Sequence, residues 1–252
     1  MAAIRIIARL DIKAPNLVKG VHLEGLRVIG NPSEYSHRYY HDGADEIIYQ
    51  DIVASLYGRN NILDLIQSTA SDIFMPMTVG GGIRSVDDAR AALRSGGDKI
   101  CINTAATKSP ELIRDLAQAF GSQCVVVSIE SIRGTDGKYR VFTDNGREGT
   151  GLDVFDWAEH VEKMGAGEII ITSVDQEGTF KGFDIELIRN ITNRITIPVI
   201  AHGGAGSPKD VVAAVRDGLA DAVAIAGILH YERFTIADIK HALADAGFEV
   251  RL

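Results

Sequence analysis

The stretch Met77-Thr78-Val79-Gly80-Gly81-Gly82-Ile83-Arg84-Ser85 returns 122 residues later as Val199-Ile200-Ala201-His202-Gly203-Gly204-Ala205-Gly206-Ser207. Each copy is an apolar run behind a proline, Pro76 or Pro198, that leads into glycines and then a serine able to cap a helix. The same offset carries Gly43-Ala44-Asp45-Glu46-Ile47-Ile48 onto Gly165-Ala166-Gly167-Glu168-Ile169-Ile170, and one further residue brings Asp98 onto Asp221. Two half-length units with the same order of apolar runs and glycine turns point to a duplicated half, with half-barrels over residues 1–122 and 123–252.

Around these repeats, short β-branched apolar runs alternate with amphipathic segments, the pattern of a parallel sheet. Eight runs qualify as strands: Arg5 to Asp11, Glu46 to Asp51, Met77 to Gly80, Lys99 to Asn103, Val125 to Glu130, Glu168 to Thr172, Pro198 to His202 and Ala222 to Ala226. Four strands per half predict a single-domain α/β architecture, a (β/α)8 TIM barrel, in preference to an open sheet. A length of 252 residues, 46% of them apolar, suits one such unit. Helix starts are marked by Ser85-Val86-Asp87-Asp88, Ser109-Pro110-Glu111 and Ser207-Pro208-Lys209-Asp210. Two segments exceed ordinary connectors: Lys13 to Asn31, and Ser131 to Gly151, whose Thr135-Asp136-Gly137 turn suggests a small hairpin. Both follow the C-terminal end of a strand, where barrel active sites are built.

A net charge of −8 argues against nucleic acid or an anionic membrane as a general partner. No apolar run reaches the roughly 18 residues of a membrane span, and the opening Met-Ala-Ala-Ile-Arg-Ile-Ile-Ala-Arg lacks the uncharged stretch of a signal peptide, so a cytoplasmic location is expected. Cys101 and Cys124 sit in apolar β-like runs and read as reduced core residues. Trp157 falls at core spacing with Val154, Ala158 and Val161. No Cys or His cluster has zinc-ligand spacing, and no Walker-type loop or nucleophile–base triad is present, so neither a metal nor a cofactor is expected.

Three constellations carry chemistry. Gly80-Gly81-Gly82 with Asn103-Thr104 would offer backbone N–H groups and a hydroxyl to an anion at a helix N-terminus. Asp175-Gln176-Glu177-Gly178-Thr179, Gly203-Gly204 and Ala226-Gly227 would do the same in the second half, so the expected ligand carries a phosphate at each end. Asp11 and Glu130 would face each other across the mouth as acid and base, or else pair with Lys13, Lys19 or Arg133. Arg5, Glu46, Lys99 and Glu168 would ring the opposite face of the barrel, where charges usually form structural ion pairs.

The motifs Arg5-Ile6-Ile7-Ala8, Leu10-Asp11, Val18-Lys19-Gly20, Leu26-Arg27, Thr78 to Ile83, Ile102-Asn103-Thr104-Ala105-Ala106, Gly165 to Ile169 and Gly203-Gly204-Ala205-Gly206 resemble the cyclase subunit of imidazole glycerol phosphate synthase, the HisF family, over essentially the whole chain. The resemblance implies a bis-phosphorylated substrate, N′-(phosphoribulosyl)-formimino-AICAR ribonucleotide. It also implies ammonia supplied by a HisH-type glutaminase on the N-terminal face, with imidazole glycerol phosphate and AICAR as products. Carried over, Asp11 and Glu130 are the catalytic positions, and Arg5, Glu46, Lys99 and Glu168 the ammonia gate. Lys19, Gly81, Gly82, Asn103, Thr104, Thr172, Asp175, Gly178, Gly203, Gly204, Ala226 and Gly227 are the phosphate and substrate contacts.

The chain departs from the family in several places. Glu130 replaces an aspartate, and an added methylene displaces a carboxylate by more than about 1 Å, which can cost roughly 10²-fold in rate. Arg9 stands where a small residue is usual and shares the inward side of its strand with Arg5 and Asp11, so it is expected to pair with Asp11 or Glu130. Gln176, Gly227 and His202 differ at the second phosphate end. Leu10 to Gly20 and Asp51 to Asn60 are similar to paralogues of surface-polysaccharide pathways, in which such a barrel passes ammonia to a third, sugar-amidating enzyme. Cyclase, ammonia-conducting barrel and half-barrel isomerase therefore stand as three readings; the gate disfavours the last, and Glu130, Arg9, Gln176 and Gly227 favour the second over the first.

Overall fold

In the computed structural model, which describes residues 3–54 and 62–251, the alternation seen in the sequence becomes twelve strands and ten helices. The first half runs β1 (Arg5–Lys13), β2 (Asn16–Val21), β3 (Glu24–Gly30), α1 (Pro32–His41), β4 (Glu46–Asp51), α2 (Leu63–Ala70), β5 (Met77–Gly80), α3 (Val86–Arg94), β6 (Lys99–Ile102), α4 (Thr104–Lys108) and α5 (Glu111–Phe120). The second runs β7 (Val125–Arg133), β8 (Tyr139–Thr143), β9 (Glu148–Asp153), α6 (Val154–Lys163), β10 (Glu168–Ser173), α7 (Ile185–Thr192), β11 (Val199–His202), α8 (Pro208–Arg216), β12 (Ala222–Ile225), α9 (Gly227–His230) and α10 (Ile236–Asp245). Residues 55–60 of the polysaccharide-like stretch lie outside the described residues.

Strands β1, β4, β5, β6, β7, β10, β11 and β12 pair parallel in that order, and β12 closes on β1 through Arg5↔Ala222 to Ala8↔Ile225. The sheet is therefore a closed eight-stranded (β/α)8 barrel, as the alternation predicted. Strands β1 and β7 run past their expected ends at Asp11 and Glu130 because antiparallel partners, β2 and β8, extend their ladders. Both long segments are thus hairpins: the Thr135–Gly137 turn joins β7 to β8, while the β2–β3 hairpin in the segment Lys13 to Asn31 was not legible in the sequence. Asn103 leaves the sheet with φ −133° and ψ −84°, so β6 stops one residue early.

Two shells of apolar side chains hold this arrangement. Strand alternation sends Ile7, Ile48, Cys101, Val126, Ile170 and Ile200 into the barrel with Ala222 and Ala224, and sends Ile6, Ile47, Val79, Val127, Ile169 and Val199 outward against the helices. Trp157 joins the outer shell. The equivalence of Asp98 and Asp221 has a physical basis, because each carboxylate accepts a backbone N–H from the start of the preceding strand, Met77 at 2.8 Å and Val199 at 2.9 Å. Ser85 caps α3 by accepting from Asp88 N, whereas Ser207 precedes α8 without a side-chain cap bond. Cys101 is buried in the inner shell, but Cys124 sits in a short 3-10 turn ahead of β7, partly exposed rather than in the core; both are free thiols.

Candidate active site

Strands β1 and β7 stand opposite each other in the ring, with three strands between them on either side. Each carries a buried carboxylate at its C-terminal, hairpin-bearing end: Asp11 with inward neighbours Ile7 and Arg9, and Glu130 with Val126 and Ser128.

The two acids live in different environments. Arg9 Nε donates to Asp11 Oδ1 at 2.9 Å, and Lys19 Nζ lies 3.9 Å from Oδ2. Burial alone would raise the Asp11 pKa, yet these two cations outweigh it and hold the carboxylate below its usual range, so it stays ionised. Glu130 accepts the Gly146 backbone N–H at 2.8 Å and a hydrogen bond from the Asn103 side chain. Burial dominates here, and its carboxyl is pushed up to about 7 despite Gly146 and Arg9. One acid is thus fixed as an anion while the other exchanges its proton near neutrality, which is how a pair of carboxylates divides acid and base roles.

Two concave sites flank the pair. The first is bordered by Gly81, Gly82, Asn103 and Thr104 together with Arg9, Gln50, Glu130 and Asp144. The second is bordered by Lys19, Gly178, Gly203, Gly204, Ala226 and Gly227 together with Phe180 and His202. Gly81 and Gly203 occupy matching turns: both have positive φ, +94° and +93°, and a Cβ there would come within 2.2 Å of Asp51 O and 2.8 Å of Ser173 O. Only glycine fits such a turn, which leaves backbone N–H groups bare toward the site. The helices that open at these sites, α4 and α9, have five and four residues, so the cradles are glycine turns more than the helix N-termini that the sequence suggested.

Several of the expected contacts are engaged with protein groups. Thr172 borders neither cradle; its hydroxyl is buried against His202 Nδ1 at 3.0 Å. Asp175 is exposed and accepts the Arg133 backbone N–H at 2.8 Å, so its carboxylate braces the second hairpin. Lys19 reaches the second cradle but is ion-paired to Glu177, and burial lowers its ammonium to about 8 although Asp11 opposes the shift. Glu177 was not singled out in the sequence: it is buried and also accepts the Leu23 backbone N–H at 3.1 Å. Its partners belong to the distant β2–β3 hairpin, so no local signal announced it. His230 touches Tyr39 OH through Nδ1 at 2.6 Å and borders neither cradle.

At the opposite end of the barrel the four charges form a closed ring. Arg5 bonds Glu46 at 2.9 Å and Glu168 at 2.9 Å, and Lys99 bonds the same carboxylates at 3.0 and 3.1 Å. Thr78 Oγ1 adds a 2.5 Å bond to Glu46. The barrel interior is therefore layered from floor to mouth: charged ring, apolar shell, then the polar group of Arg9, Asp11, Glu130 and His202.

A family model described as "Histidine biosynthesis protein" matches residues 5–235. A Legionella pneumophila relative named "Imidazole glycerol phosphate synthase subunit HisF" is 64% identical over 206 residues, covering 82% of this chain and 97% of that protein. A Methanopyrus kandleri relative of the same name is 48% identical over 265 aligned residues, covering 98% of this chain and 97% of its own. A closed barrel with paired glycine turns, matched nearly end to end by these sequences, belongs to the histidine biosynthesis protein family.

Proposed function

We propose that this chain is the cyclase subunit of an imidazole glycerol phosphate synthase, a lyase that uses ammonia to convert N′-(phosphoribulosyl)-formimino-AICAR ribonucleotide to imidazole glycerol phosphate and AICAR. The observation that carries the reading is the pair of glycine cradles on either side of two opposed acids with different proton affinities. The names of the relatives support it and give no support to a sugar-amidating pathway or an isomerase.

The cradles would each hold one phosphate, which stretches the substrate across the mouth between Asp11 and Glu130. Closing an imidazole ring on an ammonia nitrogen requires protons to leave that nitrogen and to reach the departing AICAR nitrogen. Asp11, kept ionised by Arg9 and Lys19, suits the accepting role, and Glu130, protonated below about pH 7, suits the donating one. Asn103 orients Glu130 through its amide and keeps a buried Oδ1 without a protein partner, an acceptor open to a substrate N–H or O–H.

Ammonia would come from a HisH-type glutaminase docked on the N-terminal face and pass the ring of Arg5, Glu46, Lys99 and Glu168. Phe74, 81% exposed just ahead of β5 on that face, offers an apolar anchor for such a partner. Among the described residues no helix is long and apolar enough to cross a membrane, which agrees with a cytoplasmic complex. The reading also takes residues 1–122 and 123–252 as two half-barrels.

Incubation of the purified chain with ammonium salt and the bis-phosphate tests the proposal. Release of AICAR at an ordinary enzymatic rate, on the order of 1 s⁻¹, supports a cyclase; absence of release at saturating ammonia refutes it.

A further inference from the structure

The tips of the two hairpins are the same turn with different side chains. Asp144 and Asn145 follow β8 with φ of 52° and 61°, and 122 residues earlier His22 and Leu23 follow β2 with φ of 52° and 62°. The left-handed backbone therefore belongs to the shared scaffold, while the side chain it presents does not. His22 borders neither cradle, whereas Asp144 borders the first, beside Gly81, Gly82, Asn103 and Thr104. Its neighbours in the turn are committed to holding the loop in place: Asn145 donates to Ile52 O at 2.7 Å, and the Gly146 N–H to Glu130 at 2.8 Å.

A carboxylate on the rim of an anion cradle repels a bare phosphate. Asp144 Oδ1 stands 3.4 Å from the Thr104 hydroxyl, loose for an O–H···O bond, so neither group satisfies the other. Its charge also reaches Glu130, whose proton affinity it raises. Asn103 Oδ1, buried and without a protein partner, is a second acceptor on the same cavity. The bare N–H groups of the glycine turn and the Thr104 hydroxyl suit a phosphate, but these two acceptors call for hydrogen-bond donors, and a phosphate dianion has none. A hydroxyl next to the phosphate supplies them, in the way that a carboxylate holds a ribose hydroxyl in dinucleotide sites. The second cradle has no free acid of this kind, because Glu177 on its border is spent on Lys19 and the Leu23 N–H.

We infer that Asp144 makes the first cradle selective for phosphates that carry hydroxyls: it disfavours a bare phosphate through its charge and accepts a hydroxyl hydrogen from a sugar or polyol phosphate. Thr104 is then released to donate to the phosphate. The inference rests on the reading of the glycine turns as phosphate sites and not on the cyclase chemistry; both ends of the proposed bis-phosphate carry hydroxyls near the phosphate.

Titration of the purified chain with inorganic phosphate and, separately, with ribose 5-phosphate tests this through backbone amide chemical shifts. Gly82 and Thr104 report the first cradle, Gly203 and Gly204 the second. Asp144→Asn removes the charge and keeps a side chain at home in left-handed backbone, so the turn is preserved. At the first cradle it should tighten inorganic phosphate by about threefold through lost repulsion and weaken ribose 5-phosphate by about threefold through loss of a charged acceptor. Both affinities at the second cradle should stay as they are. A merely structural effect would move the two probes together, so opposite signs at one cradle identify the filter. Affinities that move in one direction, or do not move, overturn the inference. Silence of Gly82 and Thr104 toward both probes overturns it together with the phosphate reading. Opposite shifts in a chain that releases no AICAR uphold it and fail only the cyclase chemistry.

Discussion

Each half of the barrel hangs a two-stranded hairpin over the mouth, and each hairpin is tied to the other half at an equivalent place. The tip of the β2–β3 hairpin contacts the loop after β10, where His22 Nδ1 meets Val174 O at 2.8 Å. The tip of the β8–β9 hairpin contacts the loop after β4, where Asn145 donates to Ile52 O at 2.7 Å; Val174 lies 122 residues beyond Ile52. What hangs beneath the hairpins is not equivalent. The first half brings two cations, Arg9 and Lys19, to its carboxylate, whereas the carboxylate of the second receives only neutral donors, the Gly146 backbone N–H from its own half and the Asn103 amide from the first. A shared scaffold thus sets where the acids stand, and a few side chains set which of them keeps a proton. The floor repeats the lesson: Glu46 and Glu168 are equivalent, but both cations of the ring, Arg5 and Lys99, come from the first half.

The comparison is most sharply tested by neutralising each acid in turn. Asp11→Asn should lower AICAR release by roughly 10³-fold, the middle of the range for a positioned proton carrier. It should also destabilise the fold by about 3–5 kcal/mol, because it leaves Arg9 buried without its counter-ion. Glu130→Gln should cost roughly 10²-fold in turnover with no such loss in urea unfolding. Equal losses of stability in the two variants would break the proposed asymmetry.

The pH dependence of stability gives the next largest effect. The folded pKa of Glu130 lies above its ordinary value of 4.5, at about 7, so the folded chain binds the extra proton and stability falls as pH rises between those values. The drop attributable to Glu130 is ~3 kcal/mol across that window, and it should vanish in Glu130→Gln when unfolding is compared at pH 5 and pH 8. Asp11 has the opposite sign: its folded pKa is depressed, so its contribution is present above the ordinary aspartate range and is lost as pH falls through the depressed value.

Smaller effects belong to the floor and the hairpin tips. If the proposed ammonia path holds, Lys99→Met should lower glutamine-driven turnover, measured with the glutaminase subunit, by about threefold more than ammonium-driven turnover, since on that path only the first route crosses the ring. An equal fall in both rates would remove the ring from the path. Asn145→Ala and His22→Ala should each reduce stability by about 1 kcal/mol, the worth of one hydrogen bond, and by similar amounts if the cross-mouth ties are equivalent.

The sequence disclosed those features that repeat or alternate. The 122-residue offset and the period of two along each strand located the eight barrel strands to within a few residues and put Arg9 on the inward side with Asp11. The first hairpin escaped because its turn, His22-Leu23, is made of residues that rarely adopt positive φ, 52° and 62° here, and so carried no glycine signal. Glu177 escaped for a different reason: its partner Lys19 comes from the far side of the chain, and only closure of the barrel makes them neighbours.

By itself the sequence determined the closed barrel, the glycine turns and the residue types at the mouth, because periodicity and the steric demand for glycine are local and act along the chain. Only the tertiary structure decided which cation serves which carboxylate, that Asp175 braces a hairpin, and that Glu130 holds its proton to about pH 7. Those outcomes depend on burial and on charges converging from strands distant in sequence, and electrostatic energy is set by distance and desolvation in space, which linear order does not encode.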